Sequence, residues 1–116
     1  AKYDAAEREA LSARLAAIHD LSATSNRVAF RVRDALARVE SQREQIALYR
    51  DTILPQARQT VDASQAGYQA GRTDFLSLID NWRRLLSYEL LYHQNVAQLE
   101  KDLADLSQVV GEMSHE

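Results

Sequence analysis

The sequence predicts an all-α fold: a long antiparallel coiled-coil helical hairpin. Three observations carry this. Two stretches repeat apolar residues every seven positions, the glycine pair Gly67/Gly71 stands between them, and 3 Gly and 1 Pro in 116 residues leave few other places to turn. Ala, Leu, Arg, Gln and Glu dominate the composition, as a helical chain requires.

The first arm spans residues 1–66. From Leu11, every seventh residue is Leu11, Ile18, Ser25, Val32, Val39, Ile46 and Ile53. The companion series is Arg14, Leu21, Val28, Ala35, Gln42 and Tyr49. Spacings that alternate between three and four form a coiled-coil seam, and a strict seven-residue period implies a left-handed supercoil. Unbroken, the arm would extend about 100 Å at 1.5 Å per residue. Asp20–Asn26 is rich in residues that compete for backbone hydrogen bonds. The heptad passes through it in register, which favours one continuous helix. Pro55 lacks an amide donor and its ring collides with the Asp51 carbonyl, so a kink is expected there, with the apolar register resuming at Ala57 and Val61.

The second arm spans residues 74–110. Leu78, Trp82, Leu85, Glu89, Tyr92, Val96, Leu99, Leu103, Leu106 and Val110 form its stripe, and Gly111 is placed to end the helix. Trp82 is expected to fill the core just above the tip. Glu89 interrupts the stripe, either pairing with an arginine of the first arm or facing a neighbouring helix. A second apolar edge, Phe75, Ile79, Leu86 and Leu90, widens the apolar face beyond what one partner helix covers. The arms are unequal, so about 28 residues overhang with Leu11, Leu15, Ile18 and Leu21 uncovered. The hairpin thus reads as one stave of a larger assembly. The chain opens inside a helical pattern, as a fragment of a larger protein would.

Residues 67–73 form the tip. Gly71 suits the left-handed residue that ends a helix, and Thr73 or Asp74 can cap the next one. Arg72, Asp74 and Asp80 add charge there. Two readings stand side by side: a capped turn with solvated charges, or a set of contacts between neighbouring staves.

Other chemistry is poorly represented. A net charge of −3 with both signs interspersed gives no basic patch for nucleic acid. Arg27, Arg31 and Arg38 share a face with Asp34, which reads as an ion-pair row. There is no Cys, and His19, His93 and His115 are far apart, so no metal or cofactor is expected. No nucleophile arrangement, phosphate loop or carboxylate pair suggests an enzyme. A cofactor-binding bundle would need inward His and carboxylate pairs that the sequence lacks.

The segment Tyr49–Ala57 (YRDTILPQA), the tip Gly67–Asp80 (GYQAGRTDFLSLID) and a leucine-rich helix closing in Val109-Val110-Gly111 resemble the outer-membrane efflux proteins of the TolC type, nearest those that serve heavy-metal and drug exporters of Gram-negative bacteria. The resemblance implies the periplasmic hairpin of the second repeat of a homotrimeric outer-membrane channel. It also implies a periplasmic adaptor (membrane fusion) protein and an inner-membrane transporter as partners. A gated aperture at the tip is expected in which Asp80 supplies a ring of carboxylates, while Tyr68 and Arg72 tie the closed state to a neighbouring helix. The family's second aspartate position is Ser77 here, and Arg72 sits one position earlier than the family's arginine. The alternative is an adaptor-type or generic coiled-coil scaffold hairpin without a channel role. Taken alone, the chain is expected to self-associate as a dimer or higher oligomer.

Overall fold

Two helices that cover each other along one stripe make a rod, and the computed structural model, which describes residues 1–115, is a rod of 101 × 22 × 15 Å. Its radius of gyration is 27.7 Å, about twice the ~13 Å of a compact domain of this length. The first arm comprises α1 (Lys2–Leu48), a π-helical turn (Tyr49–Ile53) and α2 (Leu54–Gln69), and α3 (Phe75–Ser114) returns antiparallel to it. Helix α1 runs through Asp20–Asn26 without a break.

The π turn explains how the first arm crosses Pro55. Above it, the residues facing α3 are Val28, Val32, Ala35, Val39, Gln42, Ile46, Tyr49 and Ile53; below it they are Leu54, Ala57, Val61, Ser64 and Gly67. Continuing the upper heptad would have turned Gln56, Thr60 and Ala63 inward. One extra residue therefore separates the two registers. A π turn, closed by the Leu54 amide on the Tyr49 carbonyl, takes it up. Pro55 then stands in the first turn of α2, where its missing donor costs little. The expected kink is thus realised as a widened turn that restores the apolar phase. Leu54, Val61 and Leu85 form the buried core at this level, with Ala57, Tyr88 and Tyr92 packed against them. Tyr49 meets Tyr88 edge to face at 6.2 Å.

Helix α3 faces the first arm with a different stripe from the expected one. Leu78, Leu85, Asp102 and Val109 are buried, and Asn81, Tyr88 and Asn95 are half-buried. Trp82 is 42 % exposed and Val110 49 %, so neither belongs to the core. Phe75, Leu86 and Leu90 are exposed as well. The shared heptad series Leu78, Leu85, Tyr92, Leu99 and Leu106 was the reliable half of the pattern. Its companion is the mixed series Asn81, Tyr88, Asn95, Asp102 and Val109, while on the other side Trp82 and Val110 are exposed and Val96 and Leu103 half-buried. Gly111 does not end α3, which continues to Ser114; the Ser114 hydroxyl donates to the Gly111 carbonyl.

Charged side chains decorate the rim. Glu89 lies 3.8 Å from Arg58, which settles its partner as an arm arginine. Arg38 lies 3.5 Å from Asp34 one turn away, and Arg31 donates to Glu112 at 2.9 Å. All are substantially solvated and of small energetic value. The Arg31–Glu112 bridge marks where α3 runs out. Beyond it, residues 1–27 are exposed, Leu11, Leu15, Ile18 and Leu21 among them.

This burial pattern separates two adjacent leucines. At concentrations where the chain is monomeric, Leu85→Ala is expected to cost about 2–4 kcal/mol in urea unfolding. Leu86→Ala, on the exposed face, should cost less than about 1 kcal/mol.

Candidate functional site

The tip is built by a helix end, a five-residue connection (70–74) and a helix start, each fixed by one backbone requirement. Helix α2 ends at Gln69, with Ala70 as its cap. Gly71 follows at φ 74°, the left-handed conformation that a side chain disfavours by about 1–2 kcal/mol. The Gly71 amide donates to the Tyr68 carbonyl at 3.1 Å and the Arg72 amide to the Gly67 carbonyl at 2.7 Å. That pair of bonds is a Schellman motif and satisfies carbonyls a helix end leaves free. Thr73 adds a third amide to the Gly67 carbonyl at 3.1 Å.

Gly67 has another reason to be glycine. It is helical and buried, and a Cβ there would run into the Thr73 side chain, with Thr73 Cβ at 3.2 Å. The absent side chain lets the turn fold back onto the helix that precedes it. Of the two expected caps, Asp74 is the one used. Its carboxylate accepts from the Ser77 amide at 3.3 Å, and its carbonyl accepts from the Leu78 amide at 3.2 Å. The Ser77 hydrogen bonds hold the Asp74 carboxyl below the usual carboxylate range.

The three residues expected to act at an aperture sit around this frame. Tyr68 lies in the last turn of α2, 46 % exposed, with its ring 5.9 Å from that of Phe75. Arg72 is in the turn and Asp80 in the second turn of α3, and both are exposed. The turn thus gathers Tyr68 and Arg72 at the end of the rod, while Asp80 stands on the shaft just above. Among the described residues, none of the three side chains hydrogen-bonds or ion-pairs with another. Within one hairpin they are available rather than engaged. Ser77, the position of the family's second aspartate, lends its amide to the Asp74 cap and is exposed.

Composition hid two members of the tip. Phe75 and Leu76 are 57 % and 71 % exposed, so the end of the rod presents an apolar patch beside Arg72. Phe75 stands one heptad before Trp82 and shares the exposed side of α3 with it. Elsewhere, a groove of about 270 Å³ next to the π turn is lined by Gln56, Thr60, Asn81, Arg84 and Tyr88. Among the described residues no group of three His, Cys, Asp or Glu side chains is placed to hold a metal ion, and no helix is long and apolar enough to cross a membrane.

Comparisons with protein-family models, curated proteins and solved structures returned no match.

The frame makes two predictions. Gly71→Ala should destabilise the hairpin by about 1 kcal/mol in thermal melts, and Gly71→Asn by less, because asparagine tolerates the left-handed region. Asp74→Ala should lower Tm at pH 7. Because the Asp74 carboxyl titrates lower when folded than unfolded, its contribution is present above the ordinary carboxylate range and fades as pH falls through the folded value. The Tm gap between wild type and variant should therefore close below about pH 4.

Proposed function

We propose that this chain is a periplasmic tunnel segment of a trimeric outer-membrane channel in a tripartite efflux system that exports metals or drugs. The observation that carries the proposal is the tip. An efflux-type sequence, GYQAGRTDFLSLID, coincides with the end of a 101 Å two-helix rod and leaves Tyr68, Arg72 and Asp80 unpaired at or near that end. A solitary capped turn needs the glycines and Asp74. It does not need an exposed tyrosine, arginine and aspartate as well.

In the assembled channel, three copies of Asp80 around an axis would concentrate negative charge and favour cations. Tyr68 and Arg72 would bond to a neighbouring coil and hold the end closed. Opening would exchange those bonds when the periplasmic adaptor docks on the tips, coupling the channel to an inner-membrane transporter. With Ser77 in place of a second carboxylate, the ring carries one acidic residue per subunit at this level. The exposed Phe75 and Leu76 give the docking end an apolar contact.

The uncovered overhang and the exposed Phe75, Leu86 and Leu90 edge further support a role as one stave among several. Under this reading the isolated chain self-associates, most simply as a dimer. Static light scattering across micromolar concentrations should report mass above one chain. A monodisperse monomer throughout would contradict the self-association.

The channel role is tested by conductance of the full-length parent in planar bilayers. Tyr68→Phe combined with Arg72→Ser should enlarge single-channel conductance by loosening the closed end. Asp80→Ala should weaken block by multivalent cations. Conductance and block unchanged in both would leave Gly67–Asp80 as an ordinary turn and remove the aperture role.

A further inference from the structure

The extra residue of the first arm has more than one seat open to it. A one-residue insertion in a helix can sit at any turn, provided the turns above keep one register and those below the other. Moving it past one turn rotates that turn by about 100° and leaves the rest of the arm in place. The insertion sits in the π turn Tyr49–Ile53, and Leu54 and Ala57 follow it in the lower register. One turn higher, it would bring Ala47 and Arg50 to the seam in place of the buried Ile46 and Tyr49. That exchange puts a guanidinium against α3 and is costly. One turn lower, it would bring Ile53 and Gln56 in place of Leu54 and Ala57. Ile53 is already half-buried beside the buried Leu54, so the seam keeps an aliphatic side chain either way. Gln56 and Ala57 both line the groove beside the π turn with Thr60, Asn81, Arg84 and Tyr88, so Gln56 would turn into open, partly polar space. Side-chain burial closes the upper seat and only weakly opposes the lower one.

Pro55 tells the lower seat from the occupied one. Directly below the π turn it stands in the first turn of α2, where a missing amide donor is tolerated. With the insertion one turn lower, Pro55 would lie inside a regular helix continuing down from α1. Its ring would then meet the Asp51 carbonyl, and that carbonyl would have no donor. The imide nitrogen thus closes the lower seat, as Arg50 closes the upper one.

We propose that Pro55 is a conformational lock: it holds the inserted residue at Tyr49–Ile53 and stops the π turn from migrating toward the tip. Leu54 is thereby kept in the core with Val61 and Leu85, and Ala57 rather than Gln56 packs against that core. The lock also fixes the lining of the groove, since Ile53, Gln56 and Ala57 are among the side chains that migration would exchange. It acts within one hairpin and is independent of a channel role.

Alkylation of single cysteines reads the seat of the insertion, because the chain has no cysteine of its own. With Pro55 present and the chain dilute, Ala57→Cys should react slowly and Gln56→Cys fast, as their half-buried and exposed positions require. In a Pro55→Ala background that difference should be lost or reversed, with helix content unchanged. Deleting Ile53 from the Pro55→Ala background removes the insertion and puts Leu54 in its place in the upper register. The original order of rates should then return. Rates unchanged by Pro55→Ala would overturn the proposal, since side chains alone would seat the turn. A difference lost in Pro55→Ala and not restored by the deletion would overturn it too, marking general loosening instead of migration. Loss of the fold in Pro55→Ala would do the same, because the proline would then support the arm itself rather than seat its insertion.

Discussion

A pair of antiparallel helices can cover only one stripe of each partner, and that limit governs everything else in this molecule. A stripe is enough to bury Ala35, Val39, Ile46, Leu54, Val61, Leu78, Leu85 and Val109, but none of the largest side chains is fully enclosed. The remaining apolar surface has nowhere to go within one chain. It stays on the outer edge of α3, at the tip and along the N-terminal overhang, where a further helix would be needed to cover it. The length of the rod follows from the same limit, because burial grows only by adding turns along the axis.

Keeping one stripe in contact over so many turns demands strict control of phase, and the chain spends its irregular features on that control. The π turn at Tyr49–Ile53 inserts one residue so that the upper and lower registers of the first arm both face α3. At the closed end, Gly71 and the Schellman bonds fix where α2 stops, Gly67 admits Thr73 at close range, and Asp74 fixes where α3 begins. These devices are local, backbone-level and inexpensive, and together they determine which side chains the end of the rod exposes. Tyr68, Arg72 and Asp80 are presented because the turn beneath them leaves them no internal partner.

The sequence made the class of fold and the place of the turn legible, because heptads and glycines are direct consequences of backbone geometry. Gly71 and Asp74 fall where their conformational and capping roles require. The phase of α3 was less legible. Pattern reading ranks residues by hydrophobicity and so chose Trp82 and Val110 for the seam, whereas Asn81 lies there bonded across to Ser64 and Asp102 is buried there with a bond only to Gln98 of its own helix. Partner-dependent hydrogen bonds across two helices leave no periodic trace. Pro55 was legible as a disturbance, but its resolution as a π turn depended on the one-residue mismatch between the registers that meet there. Gly111 failed as a helix end because a glycine in the last turn of an exposed helix is tolerated where nothing downstream demands a turn.

The central claim is that one face of α3 serves the hairpin and the adjacent face serves a neighbour. The absence of cysteine allows single cysteines to be placed at Leu78, Leu85 and Val109, and separately at Trp82, Leu86 and Leu90, and their alkylation rates to be compared in the isolated hairpin at low concentration and in the assembled parent that the proposed function implies. The account predicts slow alkylation of the first set in both states, and of the second set only in the assembled parent. Rapid alkylation at Leu86 and Leu90 in the assembled parent, or at Leu85 in the isolated hairpin, would contradict it.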